Sequence, residues 1–213
     1  ASFTGSSFNN GNVQVSLSYN DDADTDNDWN LLGNPYPSAI NADAFLAENS
    51  STLGGTLYFW THNTDASTSQ NFSQNDYVSW NGTGGIANCG GCIAPNKSIA
   101  SGQGFFIEAI TAGTVTFNNS LRSNTYANNN FYRPANAEAT TETTEERDRI
   151  WLNLTNPDGA FSQLLIGFLD DATLQKDRLY DGIRLNGSNY LSFYSNDVTN
   201  NKYGIQGRPT FVE

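Results

Sequence analysis

Four aspartates alternate along one short segment of the chain and could bind a metal ion. Residues 22–28 read DADTDND, which places carboxylates at every second position: Asp22, Asp24, Asp26 and Asp28. Calcium takes six to eight oxygen ligands at about 2.3–2.6 Å, and a curled loop can aim several carboxylates at one ion. The EF-hand spacing is absent, because Asn27 and Gly33 stand where that motif has glycine and glutamate. The segment predicts either a looser Ca²⁺ site or a solvated acidic loop.

A second set of acids lies near the C-terminal end of the sequence, and no set of residues forms a catalytic pattern. The second set consists of Asp170, Asp171, Asp177 and Asp181, which fit either a weaker metal site or ordinary turns. The single histidine, His62, lies in a polar loop, so a nucleophile-histidine-acid triad is not indicated. Glycoside hydrolysis needs two carboxylates that face each other. Glu108 is the main acid on a predicted strand, and the sequence indicates no second carboxylate facing it. We therefore expect a protein without enzymatic activity.

The two cysteines form the motif Cys89-Gly-Gly-Cys92. A redox CxxC motif needs a helix to depress the thiol pKa, and the surrounding glycines and Pro95 disfavour a helix here. A structural zinc site needs four ligands, which this chain does not offer nearby. The motif predicts a local disulfide that closes a surface loop.

Aromatic residues on two predicted strands could bind sugars. A ring face stacks on the apolar face of a pyranose, while neighbouring amides take its hydroxyl groups. Core packing explains aromatic residues on strands equally well. The best candidates for a carbohydrate platform are Tyr58, Trp60, Tyr77 and Trp80.

The charge and composition of the chain exclude some classes of partner. Its 213 residues include 10 Lys+Arg and 22 Asp+Glu, a formal net charge of -12. Such a surface repels phosphate backbones and anionic lipids, so we expect no nucleic-acid partner. No apolar run approaches the ~20 residues of a membrane span, so we expect no membrane insertion. Abundant polar and aromatic residues with only 15% charged residues are typical of a secreted all-β protein.

Short apolar or alternating runs between turn residues predict an all-β fold. Residues 1–134 are expected to form an antiparallel, jelly-roll-like β-sandwich, residues 135–148 an acidic Thr-rich linker, and residues 149–213 a partial, truncated second sandwich. Only residues 41–49 have the composition of a short helix. The predicted strands lie at Val13–Leu17, Trp29–Leu32, Thr56–Trp60, Tyr77–Trp80, Gly104–Ile110, Thr114–Phe117, Arg149–Thr155, Phe161–Leu169, Ile183–Leu185, Tyr190–Tyr194 and Lys202–Gln206.

The segment Leu32-Gly-Asn-Pro-Tyr-Pro-Ser38 predicts a rigid turn that ends a strand. Gly33 and Asn34 tolerate positive φ, and the two prolines fix φ and remove backbone donors. Asn34, Tyr36 and Ser38 could present polar groups to a ligand, but turn formation and packing explain the same residues. The structural interpretation is the one we favour.

Several motifs together resemble a known group of secreted proteins. They are NLLGNPYPSAI (30–40), LYFW (57–60), IASGQGFFIEA (99–109) and RIWLNLTNPDGAFSQLLIGFLDDAT (149–173). In this order they resemble the region upstream of the sorting domain in large surface proteins of Bacteroidota exported by the type IX secretion system. That resemblance implies an extracellular or cell-surface location and a non-catalytic spacer or adhesion role beside other segments of the same larger polypeptide.

The functional expectation is a non-catalytic cell-surface module for adhesion or glycan binding. Its expected partner is a glycan or another cell-surface polymer. Two alternatives remain open from the sequence: an accessory segment of a secreted polysaccharide hydrolase or protease, and a structural surface or filament subunit.

Overall fold

The chain folds into two compact units, each built from two separate segments. Unit 1 comprises residues 1–53 and 97–131, and unit 2 comprises residues 54–96 and 132–213. This division differs from the boundary predicted at residues 134 and 135, because residues 54–96 belong with the C-terminal strands. The computed structural model describes residues 7–22, 28–61, 76–92, 94–126, 128, 148–185 and 191–210. The predicted linker, apart from Asp148, and His62 lie outside the described residues.

Unit 1 contains antiparallel strand pairs and a short helix. Its elements are β1 (Val13–Ser16), β2 (Trp29–Gly33), β3 (Ile40–Asn41), α1 (Ala42–Glu48), β7 (Ser98–Ile99), β8 (Gly104–Glu108), β9 (Thr114–Phe117) and a 3-10 helix at Asn119–Leu121. Strand β1 pairs with β9, β2 with β8 and β3 with β7, all antiparallel. Each pair joins the N-terminal segment of the unit to the 97–131 segment, so these pairings hold the two segments together.

Helix α1 is fixed by its cap and by one apolar face. The side chain of Asn41 accepts a hydrogen bond from the backbone N–H of Ala44, which satisfies one of the open donors of the first turn. Phe45 is fully buried, and its ring stacks on Phe117 with centroids 4.9 Å apart and meets Phe105 edge-on at 5.4 Å. These three rings form the centre of the unit 1 core.

Unit 2 contains the remaining strands in two sheets. They are β4 (Leu57–Trp60), β5 (Tyr77–Asn81), β6 (Gly84–Ile86), β10 (Arg149–Thr155), β11 (Phe161–Leu169), β12 (Gly182–Ile183), β13 (Ser195–Asn196) and β14 (Lys202–Pro209). Strands β4, β5 and β6 form an antiparallel meander. The second sheet has the order β10-β11-β14-β12, and β13 also pairs with β14. Within it, β11 and β14 run parallel and the other pairs are antiparallel.

The two sheets of unit 2 share one core. Ile86 of β6, Leu165 of β11 and Ile205 of β14 form a buried apolar cluster. An added Cβ at Gly204 would lie 3.1 Å from Ile86, so a glycine at that position lets β14 approach β6 closely. Strands β11 and β14 therefore pack on β6, which comes from the 54–96 segment and not from residues 149–213.

The all-β class predicted from sequence is confirmed. The predicted helix and most predicted strands form, with ends that shift by a few residues. The strand predicted at Tyr190–Tyr194 is wrong over its described residues, because the pairing strand lies at Ser195–Asn196. The carbonyls of Leu191 and Phe193 accept hydrogen bonds from Arg184 instead of from a neighbouring strand.

Candidate functional site

The turn after β2 is a buried polar corner centred on Asn34. This side chain is 4% exposed, and its amide donates to the carbonyls of Ser38 at 2.8 Å, Ile99 at 3.0 Å and Ala100 at 3.1 Å. Its oxygen accepts the backbone N–H of Tyr36 at 3.0 Å. Asn34 thus uses both amide hydrogens and its oxygen to join the NPYPS turn to the segment that precedes β8, and it is not presented to a ligand.

Tyr36 and Arg122 complete this corner. Tyr36 is 1% exposed, its hydroxyl donates to the Gly11 carbonyl at 2.6 Å, and the Arg122 guanidinium carbon lies 4.9 Å from its ring centroid. Arg122 Nε also donates to Ser38 Oγ at 2.8 Å. Burial raises the pKa of the Tyr36 phenol, and the nearby guanidinium opposes that rise. The corner therefore has the geometry of a structural turn.

The acidic segment is described only at its two ends. Asp22 is exposed, whereas Asp28 is 5% exposed and its carboxylate accepts the backbone N–H of Asn20 at 2.8 Å. Asp24 and Asp26 lie outside the described residues. Within the described ranges, no group of three or more His, Cys, Asp or Glu side chains is arranged to hold a metal ion. Asp28 fixes the entry to β2, and the calcium site stays a prediction.

Three of the four aromatic candidates share one face of the β4–β5 pair. Trp60 lies opposite Tyr77 in the register, and their rings meet edge to face with centroids 5.1 Å apart and planes at 76°. Both side chains are half-buried. Tyr58, two residues before Trp60, is buried, and its hydroxyl donates to the Ile183 carbonyl at 2.9 Å. Burial, followed by the Asp76 carboxylate, raises the pKa of the Tyr77 phenol.

Trp80 lies on the opposite face of the same strand pair. It is paired with Leu57, and strand alternation places it with Phe59 rather than with Trp60. The structure therefore separates the four predicted carbohydrate-binding residues into a neighbouring pair, a buried tyrosine on the same face and one residue on the other face.

Cys89 and Cys92 form the predicted disulfide. Their Cα atoms are 5.2 Å apart, and the backbone N–H of Cys92 donates to the Cys89 carbonyl at 3.2 Å. Gly91 has φ +87°, a backbone conformation that residues other than glycine rarely adopt. The two glycines thus allow the tight turn that brings the sulfur atoms together.

The second acidic set is built into turns of unit 2. Asp177 accepts the backbone N–H of Thr173 at 2.5 Å, and the backbone N–H of Asp177 donates to Asp181 at 2.8 Å. The other carboxylate oxygen of Asp181 accepts the N–H of Gly207 at 2.9 Å. Burial raises the pKa of Asp181 to about 6, although these two backbone donors oppose the rise. Asp181 connects a loop to β14, which is the turn role that the sequence left open.

One family model matches the chain over residues 1–213, under the description Domain of unknown function (DUF8693). The chain belongs to this family. The match spans the segments of both units. No curated protein and no solved structure matches the chain. None of the described helices is long and apolar enough to cross a membrane.

Two buried charged groups of unit 2 were missed by sequence reasoning. Arg184 is 6% exposed and donates to Ser162 Oγ at 3.1 Å as well as to two carbonyls, and burial lowers its pKa. Burial acts to raise the pKa of Asp197, but hydrogen bonds from Asn201, Tyr203 and Thr199 outweigh it and hold that pKa well below its usual range. The Asp-x-Thr-x-Asn spacing from Asp197 to Asn201 is a signal for such a turn. Both groups stabilise loops at the end of the second sheet.

Sequence reasoning also missed the surface of β10, whose residues it treated as an ordinary hairpin strand. Four large apolar side chains on this strand are partly exposed: Ile150 48%, Trp151 43%, Leu152 42% and Leu154 39%. The indole N–H of Trp151 donates to the Gly85 carbonyl at 3.1 Å, which holds the ring in place. The alternation in RIWLNLT indicates a strand with apolar side chains on one face. The sequence does not show which strand lies at the edge of a sheet.

Proposed function

We propose that this chain is a non-catalytic extracellular module that binds a glycan or another cell-surface polymer, within a larger secreted protein. The observation that carries the proposal is the Trp60–Tyr77 pair on β4 and β5. Its rings meet edge to face at 5.1 Å, and neither side chain is fully buried.

The chemistry of the pair suits a neutral sugar. Two rings inclined at 76° form an angled apolar surface against which the C–H face of a pyranose can pack. Tyr58 lies on the same face of β4 as Trp60, and its hydroxyl is held by the Ile183 carbonyl. A formal net charge of -12 disfavours polyanionic ligands, so the expected ligand carries few or no negative charges.

Other features support an extracellular and non-catalytic role. The Cys89–Cys92 disulfide fits an oxidising compartment. The polar residues of the NPYPS corner are used by the fold, and the acids at positions 177 and 181 receive hydrogen bonds from backbone N–H groups. The resemblance to type IX-secreted surface proteins points to the same location.

A glycan array followed by calorimetry tests the proposal with a matched pair of variants. Trp60→Ala should weaken binding at least about tenfold, as expected for loss of a stacking ring. Trp80→Ala removes the same side chain from the opposite face of the strand pair and should retain binding. Melting curves confirm that both variants are folded.

Three outcomes would contradict the proposal. They are the absence of saturable glycan binding by the wild-type chain, an equal loss of affinity in folded Trp60→Ala and Trp80→Ala, and turnover of a polysaccharide by the chain itself.

The second candidate is a structural subunit of a surface assembly. It is favoured by one observation, the exposed apolar side chains along β10.

A further inference from the structure

Strand β10 is the terminal strand of the second sheet of unit 2. It pairs with β11 over all seven residues, and no described strand pairs with its other side. Ile150, Leu152 and Leu154 alternate along one face, and Trp151 lies on the other. Natural proteins protect such edges with charges, prolines or bulges, yet this strand carries one charge, at its first residue. An edge of this length and composition is suited to pairing with another strand.

The backbone of β10 has a defined polarity. The Asp148 carbonyl accepts the N–H of Phe168, and the N–H of Asn156 donates to the Ala160 carbonyl. Even-numbered residues therefore direct their N–H and C=O groups toward β11. The N–H and C=O groups of Trp151 and Asn153 point the other way, toward the open edge.

We infer that β10 pairs with β10 of a second copy of the chain, antiparallel and centred on Leu152. This inference goes beyond the proposed glycan binding and does not depend on it. A two-fold axis at Leu152 places Trp151 opposite Asn153 of the second copy and Leu152 opposite itself. The two copies then form one continuous sheet across an isologous interface.

Hydrogen bonding and packing both fit this register. Trp151 and Asn153 become hydrogen-bonded pairs, because their backbone groups face the edge, and Leu152 becomes the central non-hydrogen-bonded pair. On the aliphatic face, Ile150 meets Leu154 of the second copy on each side of the Leu152 pair. Six half-exposed aliphatic side chains are thereby brought into one cross-strand row.

Charge favours a second copy at this edge over the rest of the surface. The chain has a formal net charge of -12, so two copies repel each other over most orientations. Strand β10 contains no carboxylate, and the register sets Arg149 opposite Thr155 and Asp148 opposite Asn156. No like charges therefore face each other along the paired strands.

Analytical ultracentrifugation of the full chain tests the inference. The wild-type chain should show a reversible monomer–dimer equilibrium at tens of micromolar or below, as expected for a small interface. Asn153→Pro removes an N–H that faces the edge and leaves the β10–β11 hydrogen bonds intact, so it should shift the protein to monomer. Asn153→Ala removes the same side chain, including its bond from Gln163, but keeps the N–H and should remain dimeric.

A charge exchange at the centre tests the register itself. Leu152→Lys and Leu152→Glu should each be monomeric alone, because like charges would meet across the axis. An equimolar mixture should form a heterodimer, because the register places residue 152 opposite residue 152. Leu174→Lys, at an apolar residue that is 63% exposed outside β10, controls for added charge and should stay dimeric.

Each remaining outcome overturns the inference. A wild-type chain that is monomeric at hundreds of micromolar would leave the edge to a strand of a different protein. A dimer that persists in Asn153→Pro would place the interface elsewhere, and a mixture of the two Leu152 variants that stays monomeric would exclude this register. Glycan affinity of Trp60→Ala is measured separately, so failure of either proposal leaves the other intact.

Discussion

The NPYPS corner of unit 1 and strand β10 of unit 2 contrast in residue chemistry and in exposure. The corner concentrates amide, phenol, hydroxyl and guanidinium groups, yet Asn34 is 4% and Tyr36 1% exposed. Strand β10 is largely aliphatic and aromatic, and four of its seven residues are 39–48% exposed apolar side chains. The more polar segment is thus the less accessible one.

This contrast shows how polar groups are used in a small β-rich unit. Pro35 and Pro37 provide no backbone donors in the corner, and the Asn34 amide donates to the carbonyls at positions 38, 99 and 100, the last of which also accepts the Gln103 N–H. Strand β10 needs no such help on the side of β11, where the ladder satisfies its backbone. On its other side, no described strand pairs with it.

The largest expected effect comes from removing the centre of the corner. Asn34→Ala removes the side-chain partner of the Ser38 and Ile99 carbonyls and of the buried Tyr36 N–H, while the Ala100 carbonyl keeps the Gln103 N–H, so we expect a loss of about 3–5 kcal/mol in the free energy of unfolding. Urea denaturation measures this value. Asn9→Ala is the matched control, because Asn9 also donates to a carbonyl of the corner, that of Pro35 at 2.9 Å, but in an exposed position.

Asn9→Ala should change the free energy of unfolding by about 0.5 kcal/mol or less. A similarly small loss in Asn34→Ala would break the contrast, because the buried hydrogen bonds of the corner would then contribute little to stability.

Calcium is expected to have the next largest effect. If Ca²⁺ binds the 22–28 loop of the folded chain, the stabilisation is about 2.7 kcal/mol at a calcium concentration ~100-fold above Kd. EDTA should then lower the melting temperature, and Asp24→Ala combined with Asp26→Ala should abolish that sensitivity. The double variant Asp170→Ala with Asp171→Ala removes the same charge outside the loop. The melting temperature of this variant should remain sensitive to EDTA.

Indifference of the wild-type melting temperature to both calcium and EDTA would identify the loop as a solvated acidic segment. In that case Asp28, which accepts the Asn20 N–H, would act only as a structural residue at the start of β2.

The smallest expected effect concerns pH and unit 2. Burial raises the folded-state pKa of Asp181 to about 6 from 3.8, so the folded chain retains a proton that the unfolded chain releases first. The contribution of this group to the free energy of unfolding should therefore fall as pH rises from about 4 to 6, by about 1 kcal/mol after solvent screening, and then stay constant.

Urea denaturation at several pH values compares the wild-type chain with Asp181→Asn. The variant loses one backbone hydrogen bond at every pH, so the difference in slope between pH 4 and 6 is the informative quantity. Parallel slopes would show that Asp181 does not titrate in this range. Asp158→Asn, in an exposed turn, controls for the loss of one charge.

Local patterns in the sequence predicted individual elements well and their assembly poorly. The alternation in Arg149–Thr155 and Phe161–Leu169 gave both strands of the hairpin with their observed ends, and the Pro-Asp-Gly turn between them was readable. Very short strands such as β3 and β7 were missed, because two residues carry no periodicity. The assignment of β4–β6 to unit 2 depends on contacts such as Ile86 with Leu165 and Ile205, which no local pattern encodes.

The candidate site was predicted in part for the same reason. Tyr58 and Trp60 are two residues apart, so strand alternation predicts the same face for both, but the position of Trp80 on the other face depends on the β4–β5 register. The cysteine pair was predictable because its three-residue separation leaves few geometries. The exposure of β10 was not predictable, because the order of strands within a sheet is set by long-range pairing.

The discontinuous build of unit 2 has a consequence for biosynthesis. During translation, β4–β6 leave the ribosome well before β11 and β14. Until those strands emerge, Ile86 is not covered by Leu165 and Ile205. Unit 1 gains its last strand at Phe117, while unit 2 cannot form its shared core until β14 has emerged. In a nascent chain that stalls between these points, Ile86 lacks its partners from β11 and β14, and apolar surface that is uncovered in this way favours aggregation.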